Sequence, residues 1–131
     1  MYVNKTWHKL DIRTIKEILI VRSYKMNGEE FVKLCYQEKE NILNEYFSEN
    51  SSTAVAKKVK DLMRAGVDKD DLYKLIDSVM TDAYYTLLLG LDGAASLGGK
   101  QISYKIYDEK GTLLNKCGEI EEHAFTYFME R

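Results

Sequence analysis

The amino-acid sequence predicts an α+β fold that is mostly helical, with four to five helices around a buried central helix and one C-terminal β-hairpin packed on them. Three observations predict this architecture. Apolar residues recur at helical spacing ahead of residue 90, the stretch 84–91 is apolar on all sides, and residues 101–107 alternate with period two. The chain has 131 residues and no proline, so its helices can run without kinks, and we expect a single domain, 1–131.

The first helix is predicted to begin at Asp11, whose side chain can cap it. The β-branched residues from Ile18 onward also suit a strand, so residues 18–24 are left open between helix and strand. One face of the helix carries the apolar residues Ile12, Ile15, Ile18 and Leu19.

Two further helices are predicted before residue 67. Asn27-Gly28 separates the first helix from the second, and Gly66 is a natural stop for the third, which follows the polar loop 48–52. The residues predicted to face inward are Phe31, Leu34, Cys35, Ile42 and Tyr46 in the second helix, and Val55, Val59, Leu62 and Met63 in the third.

The clearest start signal in the chain belongs to the fourth helix. Asp68 is a good N-cap, and Val67 and Leu72 occupy the positions of a hydrophobic staple. The second half of this helix is apolar on both faces, which is typical of a helix buried on all sides. We therefore expect it to be the central helix and to end at Gly90.

The last part of the chain is predicted to form a hairpin and a helix. The segment 101–107 would pair with 112–115 around the turn Asp108–Gly111, with Ile102, Tyr104 and Ile106 docked on the helices. A final helix after Gly118 is expected to face inward with Ile120, Ala124, Tyr127 and Phe128.

Composition narrows the class of protein. Hydrophobic residues make up 45% of the chain and charged residues 31%, a composition typical of globular proteins. The net charge of −2 argues against nucleic acid or a membrane as the partner. The N-terminus has no apolar leader, so we expect a cytoplasmic protein with Cys35 and Cys117 reduced. Charge is unevenly distributed, because residues 1–25 hold six basic and two acidic side chains whereas 68–92 hold six aspartates and two lysines.

The glycine-rich joint 90–99 is a candidate site, but known motifs fit it poorly. A dinucleotide-binding loop needs a strand before it and a helix after it, which is the reverse of the predicted order here. Ser96 is not in a nucleophile elbow, so a triad with Asp92 and His123 is disfavoured, although Asp92 and Ser96 could line a pocket. We expect no metal and no cofactor, since the two histidines lack a second ligand at metal spacing.

Acidic and aromatic side chains point to a protein-binding surface. Asp70, Asp77 and Asp82 lie off the apolar stripe of the fourth helix, and an acidic patch can steer a basic protein partner. Ten tyrosines are a bias toward a residue common at interfaces. The exposed end of the hairpin adds Tyr107, Asp108 and Glu109 to the predicted contacts.

Residues 85–111, which read YTLLLGLDGAASLGGKQISYKIYDEKG, resemble a pattern in small acidic bacterial proteins. Some of those are similar to immunity proteins of polymorphic or contact-dependent toxin systems. The resemblance covers about a fifth of the chain and carries no catalytic signature. It implies a stoichiometric inhibitor of a co-encoded toxin, and it assigns no functional residues.

The sequence therefore predicts a protein-binding module, and more narrowly an immunity protein that neutralises a co-encoded toxin by steric and electrostatic occlusion. One alternative is a small enzyme or ligand-binding domain with its pocket at the Gly90–Gly99 loop. Another is a homo-oligomeric structural protein that associates through the edges of the hairpin.

Overall fold

The computed structural model describes residues 11–23 and 25–130, the side chains of 20–23 excepted. These residues form five α-helices in chain order: α1 (Ile12–Ser23), α2 (Gly28–Tyr46), α3 (Ala54–Arg64), α4 (Lys69–Leu91) and α5 (Glu119–Phe128). A short 3₁₀ turn, Lys116–Gly118, leads into α5. The predicted helical majority is confirmed, and the segment left open between helix and strand is helical through Ser23. Tyr24 lies outside the described residues.

The predicted α+β class and its C-terminal β-hairpin are wrong, because the described residues form helices and no strand. A single β-bridge joins Tyr107 to Leu113 around the turn. The returning segment runs directly into the 3₁₀ turn and is too short to extend a ladder. Instead, the Asn115 side chain accepts a hydrogen bond from the Ile106 amide at 3.0 Å and donates one to the Tyr104 carbonyl at 2.7 Å. Of the face expected to dock, Ile106 packs on the core, whereas Ile102 and Tyr104 are exposed.

The hydrophobic core lies where α2, α4 and α5 meet. Its fully buried members are Val32, Leu88, Ile120, Ala124 and Phe128. The Phe128 ring packs edge-on against Tyr36 at 5.4 Å between centroids and stacks on Tyr84 at 6.1 Å. The inward residues predicted for α5 are thus confirmed, with Tyr127 half-buried against the same core.

The prediction that α4 is buried on all sides is wrong. One side faces α2 and α5, whereas the opposite side is exposed, with Leu75 at 61% and Val79 at 59% of their full accessible surface. We call the exposed residues Asp71, Leu75, Val79, Ala83 and Leu87 the outward face of α4. None of the other described helices covers these side chains, so α4 borders the core and does not form its centre.

The inward face predicted for α2 is confirmed in part, because Phe31 and Cys35 pack against the core. Leu34 is exposed, whereas Val32, Lys39 and Leu43 are fully buried. In α3, Val59 is buried as predicted, but Val55 and Met63 are exposed.

The predicted helix starts are confirmed, but one predicted stop is wrong. The side chains of Asp11 and Asp68 accept hydrogen bonds from amides of the first turns of α1 and α4. However, α4 continues through Gly90 to Leu91, and the chain turns at Gly93, where φ is +77°. Gly90 is needed for packing, because the side chain of Leu97 occupies the space that a β-carbon would fill.

Candidate protein-binding site

Two neighbouring concave surfaces, a groove and a shallower depression, lie along the antiparallel helices α4 and α5. Along the length of α5, a groove of about 640 Å³ is lined by Tyr85, Cys117, Gly118, Glu121, Glu122, Phe125, Thr126 and Glu130. Near its end, a depression of about 180 Å³ is lined by Asp77, Ser78, Thr81, Asp82, Phe128 and Met129. We call the exposed part of these surfaces the acidic seam, defined by Asp82, Glu121, Glu122, Phe125, Met129 and Glu130.

The acidic seam combines unneutralised carboxylates with apolar side chains. Within the described residues, Asp82, Glu121, Glu122 and Glu130 form no ion pair. Among the described residues that line the groove and the depression there is no lysine, arginine or histidine. Phe125 and Met129, one helical turn apart on α5, are both about half exposed between these carboxylates. Such a surface suits a partner that presents basic and apolar side chains together.

A buried lysine lies directly behind the depression. The Lys39 ammonium is 2.6 Å from Asp77, 2.8 Å from Glu40 and 3.3 Å from the Thr81 hydroxyl, and it lies 5.1 Å from the centre of the Tyr36 ring. Sequence reasoning missed Lys39, although it follows Val32 by seven residues and precedes Leu43 by four, which is the spacing of one helix face. The cluster ties α2 to α4 and thereby fixes one wall of the depression.

Of the three aspartates predicted as contacts, the structure brings Asp77 and Asp82 together in the depression. Asp82 is exposed and available to a partner, whereas Asp77 is engaged by Lys39. Asp70 is exposed in the first turn of α4, two turns from Asp77, and it does not line the depression.

The residues predicted at the hairpin tip lie on a turn away from the seam. Tyr107 and Glu109 are exposed. The Asp108 carboxylate accepts hydrogen bonds from the amides of Lys110 at 2.9 Å and Thr112 at 2.8 Å, so it shapes the turn. These three residues form a separate exposed feature and line neither the groove nor the depression.

Asp92 joins the end of α4 to the start of α5. Its Oδ2 accepts a hydrogen bond of 2.7 Å from the Glu121 amide, which is one of the unpaired donors of the first turn of α5. Its Oδ1 is buried and has no hydrogen-bond partner in the described chain. Ser96 is exposed and forms no hydrogen bond with Asp92 or His123, so the structure does not assemble the triad considered above. Asp92 positions the helix that carries the acidic seam.

The two cysteines differ in environment. Cys35 is half-buried beside the core, and burial raises the pKa of its thiol. Cys117 is exposed in the groove and adopts the left-handed conformation, with φ at +54°. Both are free thiols, as the sequence predicted.

Two other features, a metal site and a membrane-spanning helix, are absent from the described residues. No group of three or more His, Cys, Asp or Glu side chains is arranged to hold a metal ion there. None of the helices in that part of the chain combines the length and apolar character needed to cross a membrane. Comparison with protein-family models, with curated proteins and with solved structures yields no match for this chain.

Proposed function

We propose that this protein is a protein-binding module that uses the acidic seam to hold a partner rich in basic side chains. The observation that supports the proposal is the group of four carboxylates that form no ion pair with any described residue, around exposed Phe125 and Met129. In the narrower form that the resemblance implies, the protein is a cytoplasmic immunity protein, and the partner is a co-encoded bacterial toxin.

The two kinds of side chain would contribute differently to binding. Exposed carboxylates accelerate the encounter with a basic surface and orient it, and this contribution weakens as salt rises. Phe125 is the natural anchor, because a large ring buried at the centre of an interface contributes more binding energy than the charged rim around it. Occupation of the toxin's active site by this surface would neutralise the toxin without any reaction.

Calorimetry and stopped-flow mixing with the product of the adjacent reading frame test the proposal. We expect Glu121→Lys/Glu122→Lys to slow association and to reduce its salt dependence. We expect Phe125→Ala to weaken the complex by about 2 kcal/mol, or roughly thirtyfold, mainly through faster dissociation. All three residues are exposed, so the fold should be retained.

A matched control makes the same change in net charge on a different surface of the protein. Glu38→Lys/Glu45→Lys alters two exposed glutamates of α2 outside the seam and should leave binding nearly unchanged. The single changes Asp70→Lys and Glu109→Lys examine the other predicted contacts, at the start of α4 and at the turn that also carries Tyr107 and Asp108. Absence of a complex at micromolar concentration would contradict the immunity role, and equal effects of the seam and control variants would contradict the seam as the binding surface.

A further inference from the structure

Two apolar helix faces of this chain are uncovered at the same time. On α1, Ile12 is 72% and Leu19 57% exposed, and Ile15 and Ile18 on the same side are exposed as well. On α4, the outward face presents Leu75, Val79 and Leu87 to solvent. An isolated helix of twelve residues is marginal in water, so α1 gains stability from a surface that covers its apolar side.

The two faces match in length and in charge. The twelve residues of α1 span about 18 Å, and so does the stretch from Leu75 to Leu87. The segment 1–25 holds six basic side chains against two acidic ones, whereas 68–92 holds six aspartates against two lysines. At the two faces themselves, Lys16 borders the α1 stripe, and Asp71 and Asp82 border the stripe of α4. The apolar stripes can therefore meet with opposite charges along their edges.

We propose that the outward face of α4 binds α1 of a second copy of this chain, so that the protein is a two-fold symmetric dimer. In the described conformation α1 and the outward face of α4 of one chain are both exposed, so neither covers the other. Each copy has one basic face, on α1, and one acidic face, on α4. Across a two-fold axis, α1 of each copy contacts the outward face of α4 of the other. The contact does not include the seam residues 121–130, and Asp82 lies at the border between the two surfaces.

Sedimentation velocity of the full chain tests the dimer. We expect the wild type to be dimeric in the micromolar range and dissociation to increase with salt. Ile15→Glu/Leu19→Glu on α1 and Leu75→Glu/Val79→Glu on α4 should each abolish the dimer. All four residues are exposed, so circular dichroism should show a loss of helix no larger than the twelve residues of α1.

Mixing the two variants identifies the pairing. A mixed dimer retains one intact contact, between α1 of the α4 variant and α4 of the α1 variant, so partial dimerisation should return on mixing. A monomeric wild type at all concentrations would overturn the proposal in favour of an intramolecular cover or a different protein. A dimer that survives the α4 variant, or variants that do not complement each other, would also overturn it. These results are independent of the proposed toxin-binding function, because no second protein is present.

Discussion

Lys39 of α2 and Asp77 of α4 form a charge pair at the edge of the core, with 2.6 Å between the ammonium and a carboxylate oxygen. The lysine side chain is fully buried, whereas that of the aspartate is 18% exposed. Removing an ammonium group from water costs several kcal/mol, so this lysine depends on its acidic neighbours. The pair also explains why Asp77, which sequence reasoning placed on an acidic binding surface, is engaged inside the protein.

Loss of either partner of this pair should destabilise the fold strongly. We expect Asp77→Ala to lower the free energy of unfolding by about 2–4 kcal/mol, because it leaves a buried ammonium with Glu40 as its remaining acidic partner among the described residues. Lys39→Met, which keeps the length of the side chain and removes its charge, should cost less. Urea denaturation measures both. The exposed pair Arg64–Asp61 provides the control, and Arg64→Ala should cost under about 1 kcal/mol. Equal costs at Asp77 and Arg64 would contradict the argument.

The hydrogen bond from the Glu121 amide to Asp92 should contribute to the stability of α5. Removing a side chain that caps a helix start costs about 1–2 kcal/mol, so we expect that loss for Asp92→Ala in thermal or urea unfolding. Asp92→Asn keeps an acceptor oxygen and should cost less. Ser96→Ala, in the same loop but exposed, should be neutral. If Ser96→Ala destabilised the protein as much as Asp92→Ala, the loss would come from a general disturbance of the loop and not from loss of the helix cap.

Gly90 and Leu97 should behave as a coupled pair. A β-carbon at position 90 would overlap the Leu97 side chain, so Gly90→Ala should destabilise the protein by about 1–3 kcal/mol despite the better helix propensity of alanine. Leu97→Ala removes the obstructing atoms. The double variant should therefore be more stable than the sum of the two single losses predicts. A double-mutant cycle based on urea unfolding measures this coupling. If the two single losses of stability simply added, contact with Leu97 would not be the reason why residue 90 is glycine.

The features that sequence alone predicted correctly are local ones. Asp11 and Asp68 cap helices whose first turns begin within a few residues, so their geometry depends on neighbours in the chain. The inward face of α5 follows from apolar spacing within ten residues. By contrast, burial of Lys39 requires Asp77, thirty-eight positions later, and no local pattern encodes that pairing.

The predictions that proved wrong concern which other part of the chain packs against a given helix or strand face. Alternation in 101–107 predicted a strand, but a ladder needs a partner of matching length, and the Asn115 side chain replaces it. The apolar surface of α4 predicted burial on all sides, whereas no other described helix covers its outward face. For the acidic seam, Asp82 was predicted but Glu121 and Glu122 were not, because acidic residues in the first turn of a helix are already accounted for by their favourable interaction with the helix N-terminus. The overlooked signal was Phe125, an aromatic residue off the inward stripe and next to those glutamates.

The two thiols should react at different rates and respond differently to pH. The thiolate is the reactive form, and burial raises the pKa of Cys35, so the folded protein should consume a disulfide reagent first at exposed Cys117. Cys117→Ser should remove the fast phase, and Cys35→Ser should remove the slow phase, which accelerates only at higher pH than an ordinary thiol requires. Comparable rates for the two cysteines would contradict the burial of Cys35.

The same shift predicts how stability changes in alkali. Because the folded protein holds the Cys35 proton more tightly than the unfolded chain does, the unfolded state is the first to lose it as pH rises. The stabilisation is complete below the pKa of the unfolded thiol and is lost as pH increases through the higher pKa of the folded thiol. Cys35→Ser should therefore unfold in urea with a shallower fall in stability across the alkaline range than wild type.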